Sequence, residues 1–156
     1  MALPHGSPRI GTDAYNNPVL FGQYPVLHLI LSYKGVATGS LVDQVLFQCP
    51  VGHAYEVVAA SEIHAVAGTD GSAVSLQLTK DTGTAAPGAG TDLLTNNTNA
   101  GFNLKGTANT TQEAALSATV ADLRLAAGNR LSIDFAGTLT TLAGVHVTVV
   151  LKRINP

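Results

Sequence analysis

Val74-Ser75-Leu76-Gln77-Leu78-Thr79 alternates apolar and polar side chains without a break. Successive side chains of a strand point to opposite faces, so this period-two pattern predicts a half-buried β-strand. The same alternation recurs toward the C-terminus. Leu131, Ile133 and Phe135 alternate with Ser132 and Asp134, and Val145, Val147, Val149 and Leu151 alternate with His146, Thr148 and Lys152. Toward the N-terminus, Val26–Tyr33 and Leu41–Phe47 are apolar runs rich in strand formers, and Tyr55–Val66 is a longer one. In that run Tyr55, Val57, Ala59, Ser61 and Ile63 share one face, with Glu56, Glu62 and His64 on the other. Phe102–Leu104 and Ala115–Val120 are shorter strand candidates, and Ala121–Ala127 reads as a short helix or a strand.

Glycines such as Gly52, Gly68, Gly83, Gly128 and Gly137 punctuate these runs, and the longest expected loop is Lys80–Thr91. About eight short strands separated by such turns predict an all-β domain over residues 26–156: a sandwich, barrel or jelly roll. Residues 1–25 read differently. They hold Pro4, Pro8, Pro18 and Pro25 of seven prolines, together with the aromatics Tyr15, Phe21 and Tyr24. Proline disfavours helix, and aromatics are scarce in disordered tails, so an extended N-terminal arm with adhesive anchors is expected. Arg9 is its one Lys or Arg and Asp13 its one acid. Arg9, Tyr15, Phe21 and Tyr24 are therefore the candidate partner-binding residues, with the arm packing either on its own domain or on a neighbour.

Only 12% of the 156 residues are Asp, Glu, Lys or Arg, about half the usual share. A net charge of −2 supplies no long-range field for nucleic acid or an anionic membrane. Sparse charge fits a surface padded with Thr, Asn, Ser and Gly, or one covered by other subunits. The single Cys49 is expected to be a small buried hydrophobe. The N-terminal stretch lacks the apolar segment of a secretory leader, so the sequons at Asn96 and Asn109 read as coincidental.

Chemistry is thinly represented. His5, His28, His53, His64 and His146 have no metal-ligand spacing, although His64 and His146 could meet across strands. Asp70, Asp81 and Asp92 lie in or beside Gly-containing loops, where Asp is an ordinary turn residue. No G-x-S-x-G and no phosphate loop is present. The reading is a non-enzyme without a cofactor.

Several stretches resemble the head decoration, or cement, proteins of tailed bacteriophages. They are Ser75–Gly83, the loop Ala86–Thr91, Gly106–Thr110, Leu123–Leu131, Gly137-Thr138-Leu139 and Val145–Lys152, which together cover about half the chain. Related patterns often carry Gly-Asp-Arg where this chain has Gly128-Asn129-Arg130. The resemblance implies a jelly-roll-like sandwich and a homotrimer. It also implies attachment to the major capsid protein on the outside of the virion, after synthesis in the host cytoplasm. A tail-fibre or receptor-binding domain, a carbohydrate-binding module and a hydrolase are the alternatives. The absence of Trp weighs against sugar stacking.

Overall fold

The structure, a computed structural model, describes residues 9–12, 18–21, 26–37, 39 and 41–155, with backbone alone at 9–12, 18–21 and 34–36. It is an all-β sandwich of two antiparallel sheets. The first sheet has the strand order β10 (Arg124–Leu125), β5 (Ala54–Ile63), β12 (Ala143–Ile154) and β3 (Val26–Val36), with the short β9 (Gln112–Glu113) also paired to β5. The second runs β4 (Gln44–Gln48), β11 (Arg130–Ala136), β6 (Ser75–Asp81) and β7 (Thr91–Asp92), with β8 (Phe102–Asn103) also on β6.

The pairing is nested. β3 lies beside β12, β4 beside β11, β5 beside β10 and β6 beside β7. Outer strands of the chain thus enclose inner ones; β3 to β6 alternate between the sheets, and so do β10 to β12. The sheets meet over Leu76 and Leu78 of β6, Leu131 and Ile133 of β11, and Val145, Val147, Val149 and Leu151 of β12, all buried. These are the inward positions of the alternating runs, and apolar burial of this kind is the main force closing a sandwich.

Three sequence expectations change. Ala121–Ala127 is both helix and strand, since one helical turn, α1 (Val120–Leu123), runs directly into β10. Ala115–Val120 forms no strand and contributes a single bridge, Leu94 to Leu116. The N-terminal arm, read as one extended segment, doubles back: β1 (Arg9–Thr12) and β2 (Pro18–Phe21) form a separate two-stranded antiparallel sheet.

A fourth correction concerns β5. Leu151 faces Val57 whereas Val150 faces Ala59, leaving Val58 as an extra residue. A bulge of this kind reverses the facing of everything beyond it. Val57 points inward, and so do Ala60, Glu62 and His64, all buried. The single face expected for Tyr55, Val57, Ala59, Ser61 and Ile63 therefore breaks at Val58.

Candidate assembly surface

The bulge in β5 carries two ionisable side chains into the interior. His64 Nδ1 lies 3.0 Å from Glu62 Oε1, and His64 Nε2 lies 3.2 Å from the Gly106 carbonyl. Gln112 Nε2 donates to the other Glu62 oxygen at 2.7 Å and to Asn103 O at 2.9 Å. A carbonyl only accepts, so Nε2 of His64 carries a hydrogen. At Nδ1 one further proton sits on the ring or on the carboxyl, and in both arrangements the pair is neutral overall. Burial pushes the Glu62 carboxyl above its ordinary range, against the lowering effect of His64 and Gln112. Glu62 and His64 are sealed from solvent, so the set clamps the 103–112 segment onto β5 and offers a substrate no access.

A second polar set lies on the outer face of β6. Ser75, Gln77, Thr79 and Asp81 alternate with Leu76 and Leu78, so they point away from the core, yet they are buried. The excursion 82–101 covers them. Gln77 Nε2 donates to the carbonyls of Leu94 and Asn99, and its Oε1 accepts from Leu94 N. Asp81 accepts from the hydroxyls of Thr79 and Ser132. A Cβ on Gly90 would stand 2.0 Å from Lys80 O, and one on Gly101 would stand 2.1 Å from Leu76 O. Backbone thus lies against backbone with no room for a side chain. Burial first, then the neighbouring Asp43, Asp92 and Asp81, raises the Asp134 carboxyl. Asp70 ties two loops together: it accepts from Ser72 and from Thr138 N, contacts that hold its carboxyl down to about 2.

Among the described residues no segment covers the other broad face. On the first sheet His28, Ile30 and Ser32 of β3 lie beside Val150, Thr148 and His146 of β12, and Ala59 and Ser61 of β5 continue the rows. Ile30 is 64% exposed, and Val26 and Val58 are exposed on the same sheet. His146 Nδ1 lies 2.8 Å from Ser32 Oγ, whereas His64 points into the core, so the two histidines do not meet. Among the described residues no group of three or more His, Cys, Asp or Glu could hold a metal ion.

This bare face ends at an open seam. β3 and β4 are each the edge strand of their sheet, and they lie close to each other. Leu29, Leu31 and Tyr33 of β3 and Leu46 and Phe47 of β4 pack on the core but stay partly exposed. Leu27 is 36% exposed and Val45 is also exposed. At the opposite sandwich edge, by contrast, Leu93, Leu94, Phe102 and Leu104 are buried. A cavity of about 440 Å3 near the β4–β5 turn, bordered by His53, Arg124, Leu125 and Ile154, adds a second apolar recess.

Of the candidate partner-binding residues, Arg9 and Phe21 sit opposite each other in the β1–β2 sheet. Tyr15 and Tyr24 lie outside the described residues. The seam and the bare face were not visible in the sequence, because a strand's own pattern does not reveal which of its faces another segment covers. Family models, curated proteins and solved structures were all compared with this chain, and none matches.

Proposed function

We propose that this protein is a structural component of a phage particle: a decoration, or cement, protein that binds the outside of the assembled capsid as a homotrimer. The observation that carries the reading is the uncovered first sheet with its open β3–β4 seam, on a chain in which 12% of residues are charged. Exposed contiguous apolar surface on a folded domain marks an interaction site, and sparse charge is the composition of an interface core. The sites with titratable side chains, by contrast, are spent internally on holding loops.

The finer assignment of the sandwich as a jelly roll belongs to the same proposal. A long hairpin rolled into two sheets pairs its first strand with its last, its second with its second last, and so on inward. The pairs β3–β12, β4–β11, β5–β10 and β6–β7 support that description. The partners are the major capsid protein and sister copies, and no cofactor, nucleic acid or membrane enters the reading. A protein that binds only the assembled shell stabilises it by mass action.

Electron microscopy of the native particle tests the proposal. Density for this sandwich on the outer capsid surface, with its first sheet or seam against a neighbour, is the expected result. Density at the tail tip would instead favour a receptor-binding role, and absence from the particle would sink both.

A further inference from the structure

The free edge of β3 poses a problem that the single chain leaves unsolved. β3 is eleven residues long and pairs on one side with β12. Among the described residues no strand lies on its other side. An open edge presents unpaired backbone N–H and C=O groups and is ordinarily blunted by charge, proline or shortness. These devices are sparse here: Val26 to Tyr33 holds no proline and no Asp, Glu, Lys or Arg, and the one charge of the strand, Lys34, lies near its far end. The inward side chains beneath it, Leu27, Leu29, Leu31 and Tyr33, are only partly covered.

The arm supplies the complementary piece. β1 and β2 pair with each other over four residue pairs and, among the described residues, with no other strand. An isolated two-stranded hairpin is marginal in water and needs a surface to lie on. Its strands bring Ile10, Val19, Leu20 and Phe21, and Pro18 opens β2 at a position an edge strand tolerates. Four residues, 22–25, join Phe21 to Val26, and that tether spans at most about 17 Å. The hairpin is thus held near the start of β3, at the margin where a neighbouring copy would meet the seam.

We infer that the β1–β2 hairpin of a second copy adds to the free edge of β3 and closes the β3–β4 seam. The inference rests on the assembly reading above and specifies its contact between subunits. Each copy donates one hairpin and accepts one, so the contact is head-to-tail and closes into a ring when the rotation allows. Backbone hydrogen bonds along β3 supply the attachment and the seam supplies apolar burial, as in other cases of strand addition.

Cysteine cross-linking of the full chain tests it. A Leu20→Cys variant is mixed with a His28→Cys variant and treated with a short bismaleimide. The products are analysed by mass spectrometry. Links between positions 20 and 28 of different chains are expected, together with a native mass by light scattering of three times the chain mass. A full-chain Leu20→Asp, Phe21→Asp double variant should drop to one-third of that mass while keeping its β circular dichroism. A monomeric mass for the unaltered chain at micromolar concentration overturns the inference, and so does a 20–28 link found only within one chain carrying both cysteines. The functional reading fails separately. An arm-exchanged oligomer that is absent from the particle would sink the decoration role alone, and a monomer seated on the capsid would sink arm exchange alone.

Discussion

Glu62 is the residue on which most local chemistry converges. Its two carboxyl oxygens meet His64 and Gln112 in a sealed interior. Removing one member of this buried hydrogen-bonded pair leaves the other unsatisfied, at a cost of about 1–3 kcal/mol. His64→Ala should therefore lower unfolding free energy by roughly that amount in a denaturant titration. Glu62→Gln keeps both hydrogen bonds, with its amide donating to Nδ1 and its carbonyl accepting from Gln112, and should cost about 1 kcal/mol or less. Acidity supplies an independent check. Burial raises the folded-state Glu62 carboxyl above its unfolded value, near 4.3 for an ordinary glutamate. The folded protein then holds that proton more tightly than the unfolded chain. The corresponding stability is complete below about pH 4.3 and is lost as pH rises through the raised folded value. Melting temperature should fall across that mildly acidic interval, and Glu62→Gln should flatten the slope. A slope unchanged by the substitution would assign it to other groups, such as Asp134, whose carboxyl is raised in the same sense.

Among the elements, β6, β11 and β12 were legible because each alternates cleanly, and their inward positions Leu76, Ile133 and Val147 are buried as the pattern requires. β5 was legible in extent but not in facing, since the bulge at Val58 is set by its partner β12 and leaves no mark on the sequence. β7, β8 and β9 have two residues each, too few for any period. The arm was expected from its prolines and aromatics, whereas the pairing of β1 with β2 depends on contacts over a distance the local sequence does not encode. The excursion covering β6 hinges on Gly101, which has φ +85° and would place a Cβ 2.1 Å from Leu76 O. Gly101→Ala combines a left-handed conformation with a backbone clash. It should destabilise by about 1–3 kcal/mol on each count. Gly52 also has positive φ, but a Cβ there meets nothing within 4 Å. Gly52→Ala should cost distinctly less in the same thermal melt, so equal losses would show that the close approach at Gly101 carries no weight.

At the scale of the whole molecule, the all-β fold was legible from the alternating runs and the glycine spacing, which left sandwich, barrel and jelly roll open, whereas the open seam was not legible. Coverage is decided by which loops reach which sheet: the long excursion falls on the second sheet, and among the described residues none covers the first. The same asymmetry predicts where deletion is tolerated. Removing residues 1–20 takes away β1 and most of β2 but no strand of either main sheet. The shortened chain should keep its strand signal in circular dichroism and lose attachment to the particle, and failure to fold would place the arm in the core instead.

The last long strand to be synthesised, β12, lies in the middle of its sheet, between β3 and β5. While the chain is still emerging, β3 has no neighbour on either side, and the strand that will shield it is made more than a hundred residues later. Loop closure over such separations is slow, and β-rich topologies of this kind fold in roughly milliseconds to seconds. The nascent protein therefore passes through an interval in which a proline-free, largely apolar strand with a single charge, Lys34, is open to collision with its twins. Fast production of many copies in one cell would turn that interval into an aggregation hazard. Refolding at rising protein concentration should show it directly, as a yield that drops while the rate of the surviving molecules stays constant.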